Sequence, residues 1–190
     1  SKMDQLSELL LGGNDLTVFP ELVFQVPGLK NLCLSANNIS EIPPSISQLT
    51  ELNVLLFTTN NISSVPSEIG TLTNLRELDL SQNNLADLPD SIGSLEVLED
   101  LDLSGNLLTE LPSVFKRLVF LTQLKVAHNR LGNLPKITKN SCWISTEGND
   151  RLRSRRASTS SQFGFDIHHA KRRPATSTPS PSSSSSSSSS

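Results

Sequence analysis

Residues 75–97, LRELDLSQNNLADLPDSIGSLEV, set apolar side chains at positions 1, 4, 6, 11, 14, 18 and 21 of a 23-residue unit. They are Leu75, Leu78, Leu80, Leu85, Leu88, Ile92 and Leu95, and the residues between them are mostly polar. The same order returns in copies that open at Leu6, Leu29, Leu52, Leu75, Leu98 and Leu121. Leu78 and Leu80 alternate as inward residues of a short strand. Ile92 and Leu95, three apart, predict one short helical or 3₁₀ turn, entered through the restricted backbone of Pro89. A single copy cannot bury its apolar stripe. Stacked copies can, by sharing one continuous core, so the pattern predicts a solenoid of strands and short turns.

Between strand and turn stands an invariant polar residue. Asn14, Asn37, Asn60, Asn83, Asn106 and Asn129 all occupy the ninth position. There the chain must bend, and a carboxamide can both donate to and accept from backbone groups left unpaired. These six residues are expected to form a structural ladder along the stack. The shared pattern L-x-x-L-x-[LFV]-x-x-N-x-[LI]-x-x-[apolar]-P resembles the leucine-rich repeat.

The ends are less regular. Met3 stands before Leu6 as Leu49 stands before Leu52, so residues 1–5 read as the end of a preceding repeat and the chain as a fragment. The repeat domain is expected over 6–143. Its sixth copy departs from the pattern after Pro135, where Ile137 comes one residue early and Ser141 replaces a leucine. Two readings are open: Cys142, Trp143 and Ile144 cover the end of the core, or the register is lost through altered sequence. Residues 144–190 are expected to be a disordered tail, basic and then rich in Ser and Pro, unable to offset its ordering entropy by burial.

Charge sharpens that division. Residues 1–150 carry 9 Lys+Arg against 18 Asp+Glu, whereas 151–190 carry 7 against 1. The acidic body argues against a nucleic-acid partner. Aromatics make up only 4% of the chain, which suits a leucine-filled solenoid better than a compact globule. Cys33 and Cys142 form no cysteine-rich cap, which fits the reducing cell interior. Two sequons, Asn38-Ile39-Ser40 and Asn61-Ile62-Ser63, point the other way. No apolar run is long enough to span a bilayer.

Catalytic chemistry is not legible. There is no glycine-rich phosphate loop, no G-x-S-x-G and no zinc-ligand spacing, and the pair His168-His169 lacks further ligands. No metal, cofactor or enzymatic activity is expected. In the tail, arginines precede Ser158 at basophilic-kinase spacing, which makes it a candidate phosphorylation site. Phe163, Phe165 and Ile167 form a small apolar cluster, and Lys171-Arg172-Arg173 a short basic run.

The third and fifth residues of each strand should point away from the core. On one exposed face they would set Val54 and Leu56 beside Glu77, Asp79, Asp100 and Asp102, followed by Lys125. These seven are the candidate partner-binding residues. Like charges opposite each other destabilise a sheet, so the four carboxylates read as serving recognition rather than stability.

The segment Leu88-Pro89-Asp90-Ser91-Ile92-Gly93-Ser94-Leu95 resembles the L-P-x-x-[IV]-x-x-L signature of the intracellular Ras-group leucine-rich-repeat proteins. That group includes the Shoc-2-type scaffolds, the plant intracellular Ras-group proteins and the Scribble/Erbin family. The resemblance covers 6–135. It implies an α/β solenoid, a curved right-handed coil with a parallel sheet on its concave face. It also implies a non-catalytic scaffold binding a protein such as a small GTPase or a phosphatase complex; the chain is expected to be monomeric and cytoplasmic, with a membrane-peripheral or nuclear location as the alternatives. Two alternatives stand beside it: the repeat arm of a larger signalling enzyme, and a receptor ectodomain.

Overall fold

A computed structural model describes residues 5–135 and 142–152. The chain divides into two units, 1–160 and 161–190, and the second lies wholly outside the described residues. Unit 1 is built on one parallel sheet in sequence order: β1 (Glu8–Leu10), β2 (Asn31–Cys33), β3 (Val54–Leu56), β4 (Glu77–Asp79), β5 (Asp100–Asp102), β6 (Gln123–Lys125) and β7 (Trp143–Ser145). The register is the sequence period itself: Leu55 pairs with Leu78, Leu78 with Leu101 and Leu101 with Leu124.

On the opposite wall the turns are all 3₁₀, at Glu21–Gln25, Pro44–Gln48, Ser67–Thr71, Asp90–Ser94 and Ser113–Arg117. Each is preceded by a proline, and at Pro89 the backbone is extended, with φ −70° and ψ 147°. Ile92 N–H then donates to Pro89 C=O at 3.1 Å and Leu95 N–H to Ile92 C=O at 3.2 Å, the i to i+3 pattern of a 3₁₀ turn. Both side chains are fully buried. Neighbouring turns pack closely enough that a Cβ on Gly70 would lie 2.5 Å from Ser91 C=O.

The core fills the space between the walls. Leu32, Leu55, Leu78 and Leu124 are fully buried from the strands, as are Leu34, Phe57, Leu80 and Leu103 behind them. Each coil turns after its strand through a residue at position 8 with positive φ. Glycine takes it at Gly13, Gly105 and Gly148, but Ala36, Thr59, Gln82 and His128 adopt it too. Thr59, β-branched at φ 58°, stands in a region that such side chains rarely enter.

The sequence placed the end of the repeats too early. β7 pairs with β6 through Gln123↔Trp143, Leu124↔Ile144 and Lys125↔Ser145. The sheet therefore runs through the expected boundary at 143, and 144–152 belong to a seventh coil rather than to a tail. Asn149 stands 20 residues after Asn129, so the sixth coil is three residues shorter than the others. The register is not lost there. It is reset by a deletion. The tail from 153 onward lies outside the described residues.

Leu80 and Asn83 separate the two stabilising devices. Leu80→Ala should cost about 2–5 kcal/mol through lost burial and a cavity. Asn83→Ala should cost about 1–3 kcal/mol, because it strands buried backbone groups. Denaturant melts check both. A chain ending at residue 142 should melt at a lower midpoint than one ending at 152, because it loses β7 and the Asn149 bonds.

Candidate functional site

The ninth-position asparagines hold the scaffold on which the site is built. Asn83 Nδ2 donates to Phe57 C=O of the preceding coil at 3.0 Å and, in its own coil, to Leu80 C=O at 3.1 Å and Ser81 C=O at 3.0 Å. Its Oδ1 accepts the Ile62 N–H of the preceding coil at 2.9 Å. Asn37, Asn60, Asn106 and Asn129 repeat this arrangement and are all buried.

Asn14 differs. It is exposed, and among the described residues its amide donates within its own coil, to Leu11 and Gly12. Sequence reading missed Asn149, 1% exposed, which accepts Leu131 N–H at 3.0 Å and donates to Val126 C=O at 2.8 Å. Ser141 and Thr146 replace the leucines that would have marked its coil. The available signal was the Gly148-Asn149 pair, matching Gly105-Asn106.

With the core side anchored, the first and last residues of each three-residue strand, at the third and fifth positions of the repeat, form the other face of the sheet. Register sets Glu77 against Asp100 and Asp79 against Asp102. Neighbouring strands lie about 4.8 Å apart. The third-position row continues to Gln123 and the fifth to Lys125. Val54 and Leu56 precede Glu77 and Asp79, as the repeat spacing predicts. Glu77, Asp79, Asp100, Asp102, Gln123 and Lys125 rim a shallow depression of about 110 Å³ floored by Leu78 and Leu101.

The four carboxylates are not equivalent in their contacts. Asp79 Oδ1 accepts the Ser81 N–H at 2.8 Å and the Ser81 hydroxyl at 2.6 Å. The Ser81 hydroxyl lies 2.6 Å from the Thr58 hydroxyl of the preceding coil. Asp102 Oδ1 accepts Ser104 N–H at 2.9 Å, and its Oδ2 pairs with Lys125 Nζ at 3.2 Å. Both fifth-position aspartates thus tie the strand end to the turn, in the manner of an Asx turn. Glu77 and Asp100 take no such part. Among the described residues Asp100 has the Thr122 hydroxyl at 3.5 Å, and Glu77 has no ion-pair partner. An exposed ion pair, Arg76 with Glu99, lies just outside the depression.

No group of three or more His, Cys, Asp or Glu suited to a metal ion occurs among the described residues. No helix among them is long and apolar enough to cross a membrane. Ser158 lies outside them.

A seven-stranded parallel ladder with an internal asparagine ladder defines a repeat solenoid that offers one open sheet face. The sequence pattern described as Leucine rich repeat matches residues 27–85 and 73–131, more than half of the chain. The chain belongs to the leucine-rich-repeat family, whose domains generally serve protein–protein interaction. Its structure is similar to a Leptospira interrogans leucine-rich-repeat protein, at TM-score 0.72 and 31% identity over 81% of this chain. It is also similar to the Arabidopsis thaliana ectodomain of the membrane receptor kinase GASSHO1/SCHENGEN3 in complex with CASPARIAN STRIP INTEGRITY FACTOR 2 (TM-score 0.65, 34% identity, 78% of this chain). The functional domain of InlJ from Listeria monocytogenes gives TM-score 0.68 and 29% identity over 78% of this chain. The chain spans 41%, 22% and 31% of those three chains respectively. No curated protein matches its sequence.

Splitting the carboxylates predicts split energetics. Asp79→Ala should lower stability by about 1 kcal/mol through the lost Ser81 bonds. Glu77→Ala should stay within about 0.5 kcal/mol of the parent. Urea unfolding of the two variants reads the difference directly.

Proposed function

We propose that this chain is a non-catalytic protein-binding module that receives a partner with a basic surface on the inner face of its sheet. One observation carries the reading: Glu77, Asp79 and Asp100 crowd one depression in fixed register without a basic partner among the described residues. Lys125 offsets only Asp102. Their mutual repulsion opposes the sheet, and an arriving Lys or Arg relieves it.

The finer reading is a monomeric scaffold in intracellular signalling, with a small GTPase or phosphatase complex as the partner class. The Ras-group signature at residues 88–95 supports it. A second reading has its own support. A receptor-kinase ectodomain is among the similar structures, and this chain covers only 22% of it. On that reading the coils are the recognition arm of a longer signalling protein. Both readings use the same face.

The discriminating variant is Glu77→Lys with Asp100→Lys, which reverses the patch and spares the Asp79 and Asp102 turn bonds. A partner captured by the full chain should bind this variant at least about tenfold more weakly by calorimetry, a loss of about 1.4 kcal/mol. Binding of the parent should also weaken as salt rises toward physiological strength, where screening acts over about 8 Å. Unchanged affinity in the variant rules the patch out.

A further inference from the structure

The acidic depression occupies only the middle of the sheet face, and in the strands before it the fifth-position row is apolar. In the fifth-position row Leu10, Cys33 and Leu56 lie in register ahead of Asp79 and Asp102. Leu10 is 67% exposed, although leucines elsewhere in the coils are mostly buried. Cys33, Val54 and Leu56 are half-buried on the same face. Every strand is three residues long and turns only two side chains outward. The face is therefore a ribbon two side chains wide, acidic in both columns over β4–β5; over β1–β3 its fifth-position column is apolar, while its third-position column carries Glu8, Asn31 and Val54. Such a ribbon suits one extended chain better than a broad globular surface.

We infer that the occupant is an extended segment of another protein, carrying an apolar residue about three residues away from an arginine or lysine. The inference rests on the acidic-face reading above and adds an apolar anchor to it. The separation follows from the sheet. The centre of the apolar strip, between β2 and β3, lies two strand spacings from the centre of the acidic patch, between β4 and β5. That is about 10 Å, which an extended chain covers in about three residues. The two halves do different work. An arginine fork engages Glu77, Asp100 and the free oxygen of Asp79 by charge-assisted bonds. An aliphatic side chain over Leu56, Cys33 and Leu10 removes exposed apolar surface from water. Order along the row also fixes direction: the apolar end of the segment lies toward β1 and the basic end toward β5.

The probe is a pair of synthetic peptides, titrated against the full chain by fluorescence anisotropy. The first carries two leucines about three residues from two arginines; the second has serine in place of both leucines. The leucine peptide should bind at least about tenfold more tightly than the serine peptide. Leu10→Ser with Leu56→Ser in the protein should erase that difference and leave serine-peptide binding unchanged. Circular dichroism confirms that the variant is folded, as expected for side chains that point outward. Equal binding of both peptides to the parent overturns the apolar anchor and leaves the acidic-face reading standing. If both peptides bind the Glu77→Lys, Asp100→Lys variant as well as the parent, the acidic-face reading falls and this inference falls with it.

Discussion

A buried carboxamide that answers the backbone of two coils at once is the constraint from which the rest of this structure follows. A strand of three residues cannot satisfy its own ends, and the turn after it sits against a dry core. Groups left unpaired there would each cost about 1–3 kcal/mol. Asn83 meets three carbonyls and one N–H in that space. Because its partners lie in its own coil and the preceding one, it also locks the spacing between coils. The in-register sheet, with Leu78 stacked on Leu101, depends on that lock as much as on strand pairing.

Register is in turn what gives the open face its chemistry. Seven short strands held at one phase convert a 23-residue sequence period into columns of side chains about 4.8 Å apart. Residues distant in sequence, such as Leu10, Leu56 and Asp102, become points along one line. A framework repeated from coil to coil, with outward positions that vary, lets the repeat carry recognition without altering its core. The two turn-binding aspartates show the limit of that freedom, since Asp79 and Asp102 also serve the framework.

Most of the fold was legible because period, strand and turn are written in leucine, asparagine and proline at fixed spacing. What failed to show was written in other letters. The seventh coil replaces two of its leucines with Ser141 and Thr146, and the three-residue deletion before it breaks the count. Only backbone pairing through Ile144 and the Asn149 bonds restores it. The left-handed position 8 was invisible for a similar reason: Ala36, Thr59, Gln82 and His128 are not residues that announce positive φ. At the site, side-chain direction followed from strand alternation. The distinction between Glu77 and Asp79 did not, because a turn bond two residues away leaves no trace in composition.

The asparagine ladder has a direction. From Asn37 onward each carboxamide reaches back to the coil before it and none reaches forward, so neighbouring coils do not depend on each other symmetrically. When the first coil peels away, Asn37 loses the Leu11 and Leu16 partners and meets water much as Asn14 already does. When the seventh coil peels away, Leu131 N–H is left without the carboxamide that answered it, beside a core that remains, while Val126 C=O keeps only the bond from Asn129 Nδ2. Fraying from the two ends is therefore unequal in kind. One end sheds side chains that hydrate readily, while the other uncovers backbone that does not.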